Sequence, residues 1–308
     1  MSLGHQLISG QIKRERIQSW LEQINRISGT GATAVVTCFR GGMRSQLSQQ
    51  WIKDAGIEVP RVAGGYKRVR QLLIHQIELF CQTNQLLVLS GKTGSGKTNL
   101  IKQIQFMPTL DLEALAHHRG SAFGALSAPQ PSQIDFENQL ALELYKIKNK
   151  TGSVPTQPLT QTVEQTLVED ESLLIGRVTQ PADFFNLLRS SPIILLEEPL
   201  ELRIQNTLQE YVANRCSVPN LFSDLQSSLL KIRAKLGGLR HQEIHDDIEK
   251  AHSAWLNHKD LSVSKIWIEK VLVWYYDPIY EKSLTKRNPT ILARGDSKTI
   301  FNFLKNHR

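Results

Sequence analysis

The run Gly91-Lys92-Thr93-Gly94-Ser95-Gly96-Lys97-Thr98 fills every position of the phosphate-binding pattern G-x-x-x-x-G-K-[ST]. Glycines at 91, 94 and 96 let backbone N–H groups converge on one point, where they would cradle a phosphate. Lys97 is spaced to reach the terminal phosphate, and the Thr98 hydroxyl to ligate magnesium. Leu86 to Leu89 form the apolar run of a buried parallel strand, and the stretch from Asn99 continues as a helix whose N-terminus adds positive potential. A glycine-rich turn without a ligand would explain the glycines but not this whole strand–loop–helix setting.

A second reactive centre is Cys38-Phe39-Arg40-Gly41-Gly42-Met43-Arg44-Ser45. Ala32 to Thr37 reads as a buried strand leading into it, and a helix follows from about Gln46 to Ala55. A cysteine at a strand end, before a short glycine loop and a helix start, sits among inward-pointing amides. Those amides, the helix dipole and Arg44 would lower the thiol pKa and hold an anion against the sulfur. The thiolate can then carry a further chalcogen as a persulfide or perselenide. The same residues satisfy C-x-x-G-x-x-R-[ST], the loop of protein tyrosine phosphatases, but Thr37 stands where those enzymes usually have His, and no partner Asp is identifiable. The blander alternative is a cysteine that merely ends a buried strand.

The elements that position these centres can be taken in order. Residues 8–28 carry Ile12, Ile17, Trp20, Leu21 and Ile24 on one helical face. Val59 to Val62 is a short strand candidate, and Ala63-Gly64-Gly65-Tyr66-Lys67 opens a helix to about Cys81. Leu110-Asp111-Leu112-Glu113 brings an acid to where P-loop kinases often place one near substrate or metal, and Ser132 to Ile147 is a further helix. Lys148 to Thr166, rich in Thr and Gln with two prolines, reads as a flexible loop. Two apolar strands end in acids, one at Glu169-Asp170-Glu171 and one at Glu197-Glu198; either suits the carboxylate that orients magnesium. From Glu201 the pattern is helical, over about 201–216, 221–236, 239–256 and 262–276, the last stopped by Asp277-Pro278.

The 308 residues give a prior of about two domains. No apolar run approaches the roughly 20 residues of a membrane span, and there is no signal-peptide pattern. Three scattered cysteines suit a reducing, cytoplasmic setting rather than a disulfide framework. A net charge of +8 favours a polyanionic partner.

Taken together, TCFRGGMRSQ, VAGGYKRVR, the P-loop, DLEALAHHRGSAFG, Gln133 to Asn138, Val168 to Ser172, Glu197-Glu198-Pro199 and Tyr275 to Tyr280 resemble the tRNA 2-selenouridine synthase family along essentially the whole chain. The resemblance implies an α/β protein in which a rhodanese-like unit precedes a P-loop NTPase-like parallel-sheet domain with a helical C-terminal region. The boundaries expected here are 1–80, 81–205 and 206–308. Residues 1–80 supply about two strands, half of what a rhodanese-like sheet needs, so this unit is expected to be partial. The implied reaction converts wobble 2-thiouridine of tRNA to 2-selenouridine with selenophosphate, through geranylation of the sulfur from geranyl diphosphate, with Mg2+ and a nucleotide as further candidate ligands. Cys38 would relay selenium. His117, His118 and Arg119, and the basic residues Lys231, Arg233 and Lys235 near Arg240, become candidate RNA contacts, as do Lys282, Lys286 and Arg287. The rivals are a P-loop kinase or NTPase acting on a small molecule, with an inert rhodanese-like appendage, and a non-catalytic RNA-binding protein.

Overall fold

The structure, a computed structural model, describes residues 10–124, 129–150 and 165–306. The chain divides into two compact units at His75/Gln76. The first holds α1 (Gly10–Ser28), α2 (Met43–Asp54) and the start of α3 (Gly65–Thr83). The strands expected at 32–37 and 59–62 shrink to one parallel bridge between Val36 and Arg61. Val36 N–H donates to the Pro60 carbonyl at 2.8 Å and Val62 N–H to the Val36 carbonyl at 3.0 Å. Pro60 has no N–H to extend the ladder, and Val35 is 53% exposed, so the cover that a parallel strand needs is absent on that side. The core of this unit is small: Ala34, Ile52 and Val59, with Trp20, Leu21, Ile24, Val36 and Ile57 against them.

The second unit continues through β1 (Gln85–Gly91), α4 (Lys97–Gln103), β2 (Thr109–Leu110), α5 (Leu112–Ala116), α6 (Gln133–Lys150) and β3 (Gln165–Glu169). Then come the small hairpin β4 (Leu174–Ile175) and β5 (Val178–Thr179), α7 (Ala182–Ser190) and β6 (Ile193–Leu196). The helical region is α8 (Leu200–Tyr211), α9 (Leu221–Lys231), α10 (Arg233–Leu236), α11 (Gly238–His258), α12 (Ser264–Val271) and α13 (Asp277–Arg287). The described chain ends with β7 (Ile291–Gly295) and α14 (Ser297–Asn306). Most of the loop expected at 148–166 lies outside the described residues; α6 runs to Lys150 and β3 begins at Gln165.

The five-stranded sheet has the order β2-β3-β1-β6-β7, and every pairing is parallel. A parallel strand must be covered on both faces, and Leu86 to Leu89 of β1 are fully buried. Because β1 is flanked by β3 on one side and β6 on the other, a crevice opens beyond its C-terminal end. One core cluster joins Leu87, Leu89, Leu167, Ile194 and Leu196 of the sheet to Leu100, Ile101, Ile300 and Leu304 from α4 and α14. Another, around Leu225, Leu229, Ile244, Ile248, Trp267 and Ile268, binds the helical region together.

Two sequence expectations fail in this region. The C-terminal residues are not wholly helical, since β7 returns to pair with β6. Nor does Asp277-Pro278 stop the preceding helix. The backbone widens into a π turn at Leu272–Tyr276 and runs on into α13, with Pro278 in its first turn. The wider turn accommodates the proline ring and its missing N–H inside the continuous helix. Among the described residues no helix is long and apolar enough to cross a membrane.

The two units differ sharply in backbone pairing, and hydrogen exchange should register it. Amides 86–90 are expected to exchange only through global unfolding, and those near Val36 through much smaller openings. Equal protection of the two stretches would mean that the small unit is as firmly held as the sheet.

Candidate active site

The phosphate loop follows β1 directly. Gly94 and Gly96 both have φ of 81°, a region costly for any other residue. A Cβ at Gly94 would also lie 2.6 Å from the Arg203 carbonyl oxygen and from Thr207 Oγ1. Side chains engage three of the loop's carbonyls: Lys97 Nζ donates to Gly91 O at 2.9 Å, Arg203 Nε to Thr93 O at 2.9 Å, and Asn206 Nδ2 to Gly94 O at 2.9 Å. Ser95 N–H donates to Lys92 O at 3.2 Å, while the N–H groups of the first turn of α4 suit an anion. Arg203, only 4% exposed, also makes a bidentate pair with Asp277 at 3.0 and 2.6 Å. Lys92 reaches Glu281 at 2.6 Å.

The structure separates the acids that the sequence left equivalent. Glu169 closes β3 beside Leu89, buried and next to the loop. Glu197 sits in a different cleft, with Lys92, Arg203 and Asp277, and lies 3.6 Å from Arg294. Asp111 is spent as the N-cap of α5, accepting from Ala114 N at 2.8 Å. Asp170 accepts from Ser90 Oγ at 2.5 Å and from Arg287 at 2.9 Å, so it is fully committed to the fold. Two residues that sequence reasoning did not single out join Glu169 instead. Carboxylate oxygens of Glu113, Glu169 and Glu171 all lie within 4.8 Å of one another. A tight turn, with Glu171 N–H donating to the Glu169 carbonyl at 2.9 Å, folds the third acid back. The available signal was the i, i+2 spacing of Glu169 and Glu171, which favours one side of an extended chain. Burial, then the charge of Glu113, push the Glu169 carboxyl up to about 7. Burial also raises Glu113 and Glu171.

These groups line a cavity of about 670 Å³. Leu173, Phe185, Ile279 and Leu284 give it an apolar wall, and Arg189 and Lys286 also line it. Of the basic candidates, Arg287 is buried, donating to Asp170 and to the Leu188 and Arg189 carbonyls. It also lines the cavity, with its guanidinium held by these partners. Arg119 donates to the Glu210 carbonyl and stacks 5.2 Å from the Tyr211 ring centre. His117 is exposed and caps α5 in a left-handed conformation, its Nδ1 3.3 Å from the Pro129 carbonyl. His118 is half-buried, and desolvation followed by the Lys231 charge keeps it below the usual imidazole range. Lys231, Arg233 and Lys235 are exposed.

The Cys38 loop, in the first unit, is shaped by glycine against glycine. A Cβ at Gly65 would fall 2.1 Å from both Cys38 O and Gly41 N, and one at Gly41 would fall 2.5 Å from Gly65 N. Tyr66 N–H donates to Cys38 O at 2.9 Å, Lys67 N–H to Phe39 O at 2.9 Å, and Arg61 to the Gly41 carbonyl. Helix α2 begins at Met43, earlier than expected, with Gly42 as N-cap. Buried Ser45 donates to Gly42 O at 2.9 Å and receives the Cys38 thiol at 3.2 Å. The Ser45 hydroxyl, more than any other group, lowers the Cys38 pKa to about 7, with help from the Ser45, Arg40 and Gly42 amides. Arg44 is exposed, and the group that most lowers the thiol pKa is Ser45, the last position of the motif. By contrast, burial pushes the Cys81 thiol up to about 12.

A parallel sheet with a glycine loop after its central strand, a Lys-Thr pair and buried acids on the neighbouring strand defines a P-loop protein. The tRNA 2-selenouridine synthase AAA domain family matches residues 84–308. Proteins named tRNA 2-selenouridine synthase are similar over almost the whole chain. The one from Bdellovibrio bacteriovorus is 45% identical over 96% of this chain and 80% of its own length. The Nitrosomonas eutropha protein is 43% identical over 98% and 81%, and that from Shewanella frigidimarina 40% over 100% and 82%. This chain belongs to the tRNA 2-selenouridine synthase family.

Replacing Arg203 with Ala strands Asp277 and the Thr93 carbonyl, a loss of about 3–5 kcal/mol for a truncated buried pair, measurable by denaturant unfolding. An unchanged midpoint would show that the loop needs no such anchor. At the other centre, pH-dependent alkylation of Cys38, followed by peptide mass spectrometry, should give a midpoint near 7, with the thiolate lost below it. Ser45→Ala should move that midpoint upward and Ser45→Thr should keep it low. Arg44→Ala should move it less than Ser45→Ala; the reverse order would return the role to the guanidinium.

Proposed function

We propose that this chain modifies tRNA, replacing the sulfur of wobble 2-thiouridine with selenium from selenophosphate after geranylation from geranyl diphosphate. Family membership supports the selenation. The prenyl step rests on one observation, that the phosphate loop and the wall of Leu173, Phe185, Ile279 and Leu284 share a single cavity. A cavity lined by both an anion cradle and apolar side chains suits an amphiphilic diphosphate.

In this reading the 2-thio sulfur forms a bond to the geranyl carbon as the carbon–oxygen bond to diphosphate breaks. Loop amides and Lys97 take up the charge that grows on the departing diphosphate. The selenium of selenophosphate then forms a bond to the ring carbon as the carbon–sulfur bond breaks and geranylthiolate leaves, and water takes the phosphoryl group, breaking the phosphorus–selenium bond to give phosphate. Thr98 and Glu169, whose Oε1 is buried without a partner, suit a magnesium ion that would share the diphosphate charge. Cys38, with its thiol already lowered to about 7, marks the loop that would hold the selenophosphate anion through its amides, with no change in the oxidation state of selenium. RNA would lie along Lys231, Arg233 and Lys235. There Lys235 is 6.0 Å from the Tyr275 ring centre and Arg240 5.4 Å from that of Trp274, an interleaving of cations and aromatics suited to phosphates and bases.

Mass spectrometry of tRNA nucleosides after incubation with selenophosphate and geranyl diphosphate tests the scheme. Lys97→Ala should abolish the geranylated nucleoside, while Cys38→Ser should keep it and lose the selenated one. Loss of the same step in both variants would end the two-centre division. Calorimetry with geranyl diphosphate against ATP and GTP decides between this reading and a kinase. Neutralising Lys231, Arg233 and Lys235 together should flatten the salt dependence of tRNA affinity by roughly one unit per lost contact. An unchanged slope would move the RNA face elsewhere.

A further inference from the structure

Buried carboxylates seldom gather without something to hold. Glu113, from α5, and Glu169 and Glu171, from the end of β3 and the turn after it, bring their oxygens within 4.8 Å of one another. Glu169 is 1% exposed and Glu171 7%. Glu169 Oε1 has no hydrogen-bond partner, an arrangement that costs several kcal/mol for a charged group unless a cation or proton compensates. The Lys97 charge reaches all three acids, but its ammonium donates to the Gly91 carbonyl and leaves Glu169 Oε1 without a hydrogen bond.

The surroundings are shaped to the cluster. Gly120 donates its N–H to Glu113, and a Cβ on Gly120 would fall 2.1 Å from a Glu171 oxygen, so the loop backbone closes directly over the acids. Thr98 Oγ1 lies 3.5 Å from Glu113 Oε2 and adds a fourth oxygen at the edge. Neighbouring ligands of a magnesium-sized ion stand roughly 3 Å apart and opposite ones roughly 4.2 Å, both inside the 4.8 Å within which these oxygens lie. An all-oxygen donor set selects a hard cation, magnesium or manganese, over zinc or copper.

We propose that Glu113, Glu169 and Glu171 form a divalent-cation site belonging to the protein itself, filled before any phosphate ligand arrives. This differs from the usual P-loop arrangement, in which the cation bridges the nucleotide phosphates and the protein contributes a Ser/Thr hydroxyl and one aspartate. Here three carboxylates supply enough charge to hold the ion alone, and an incoming phosphate or diphosphate completes its shell. The inference stands on these side chains and does not depend on which substrate the cavity takes.

The test uses the full chain, freed of phosphate, with Mn2+ as the probe. Electron paramagnetic resonance of unbound Mn2+ and titration calorimetry should show one tight ion per chain, displaced by Mg2+. Mn2+ should also raise the thermal midpoint. Glu113→Gln and Glu171→Gln should each weaken binding at least about tenfold, since even outer-shell changes at metal sites cost 10–100-fold. Glu197→Gln, outside the cavity, should leave binding unchanged. Circular dichroism of the metal-free variants checks their folding; should both unfold, the stoichiometry and thermal shift of the unaltered chain still decide. Mn2+ that binds only once inorganic phosphate or diphosphate is added would overturn the proposal, leaving protons to neutralise the cluster. Binding that is equally tight in both Gln variants would overturn it as well.

Discussion

One buried guanidinium holds the phosphate loop to the helical region. Arg203 bonds at once to the Thr93 carbonyl and to both oxygens of Asp277, joining residues far apart in sequence at a point almost closed to water. A charge so placed tolerates no partial solution, because losing any partner leaves a desolvated group behind. The position of Asp277 depends in turn on the π turn before it, which lets the helix pass Pro278. Ser90, Asp170, Tyr280 and Arg287 make a second tie between the end of β1 and α13. The loop's shape is therefore a property of the whole second unit, although its motif is local.

The two reactive centres solve opposite electrostatic problems. At the P-loop, burial crowds carboxylates together and drives their pKa values upward. Cys38 is only half-buried, and a hydroxyl and amides draw its pKa down. The first environment gathers uncompensated negative charge beside a cradle for anions. The second stabilises a single thiolate with neutral donors, which keeps the sulfur accessible.

What could be read from sequence was what is local. The run of Leu86 to Leu89 and the glycine pattern after it specify strand, loop and helix without reference to any other residue. Which acid faces the loop was not legible, because Glu169 and Glu197 both end apolar strands beside β1. Only the packing of α5 and the turn at Glu171 distinguishes them. Ala32 to Thr37 has the composition of a strand, but among the described residues it pairs through a single bridge, and composition cannot report how many neighbours a strand finds. Arg287 looked like a surface cation because most helical arginines are; its burial comes from α7 carbonyls that no spacing rule connects to it. Ser45 was within reach, since its place in the motif is fixed relative to Cys38.

The pairing of β6 with β7 has a consequence for how the protein is made. On the ribosome, β6 emerges with one edge unpaired, and the strand that covers it follows only after the whole of α8 to α13. At 5–20 residues per second, those roughly one hundred residues take on the order of 5–20 s to synthesise. The strand that completes the sheet carrying the phosphate loop is thus the last of its strands to be made, and the edge of β6 has no partner until then.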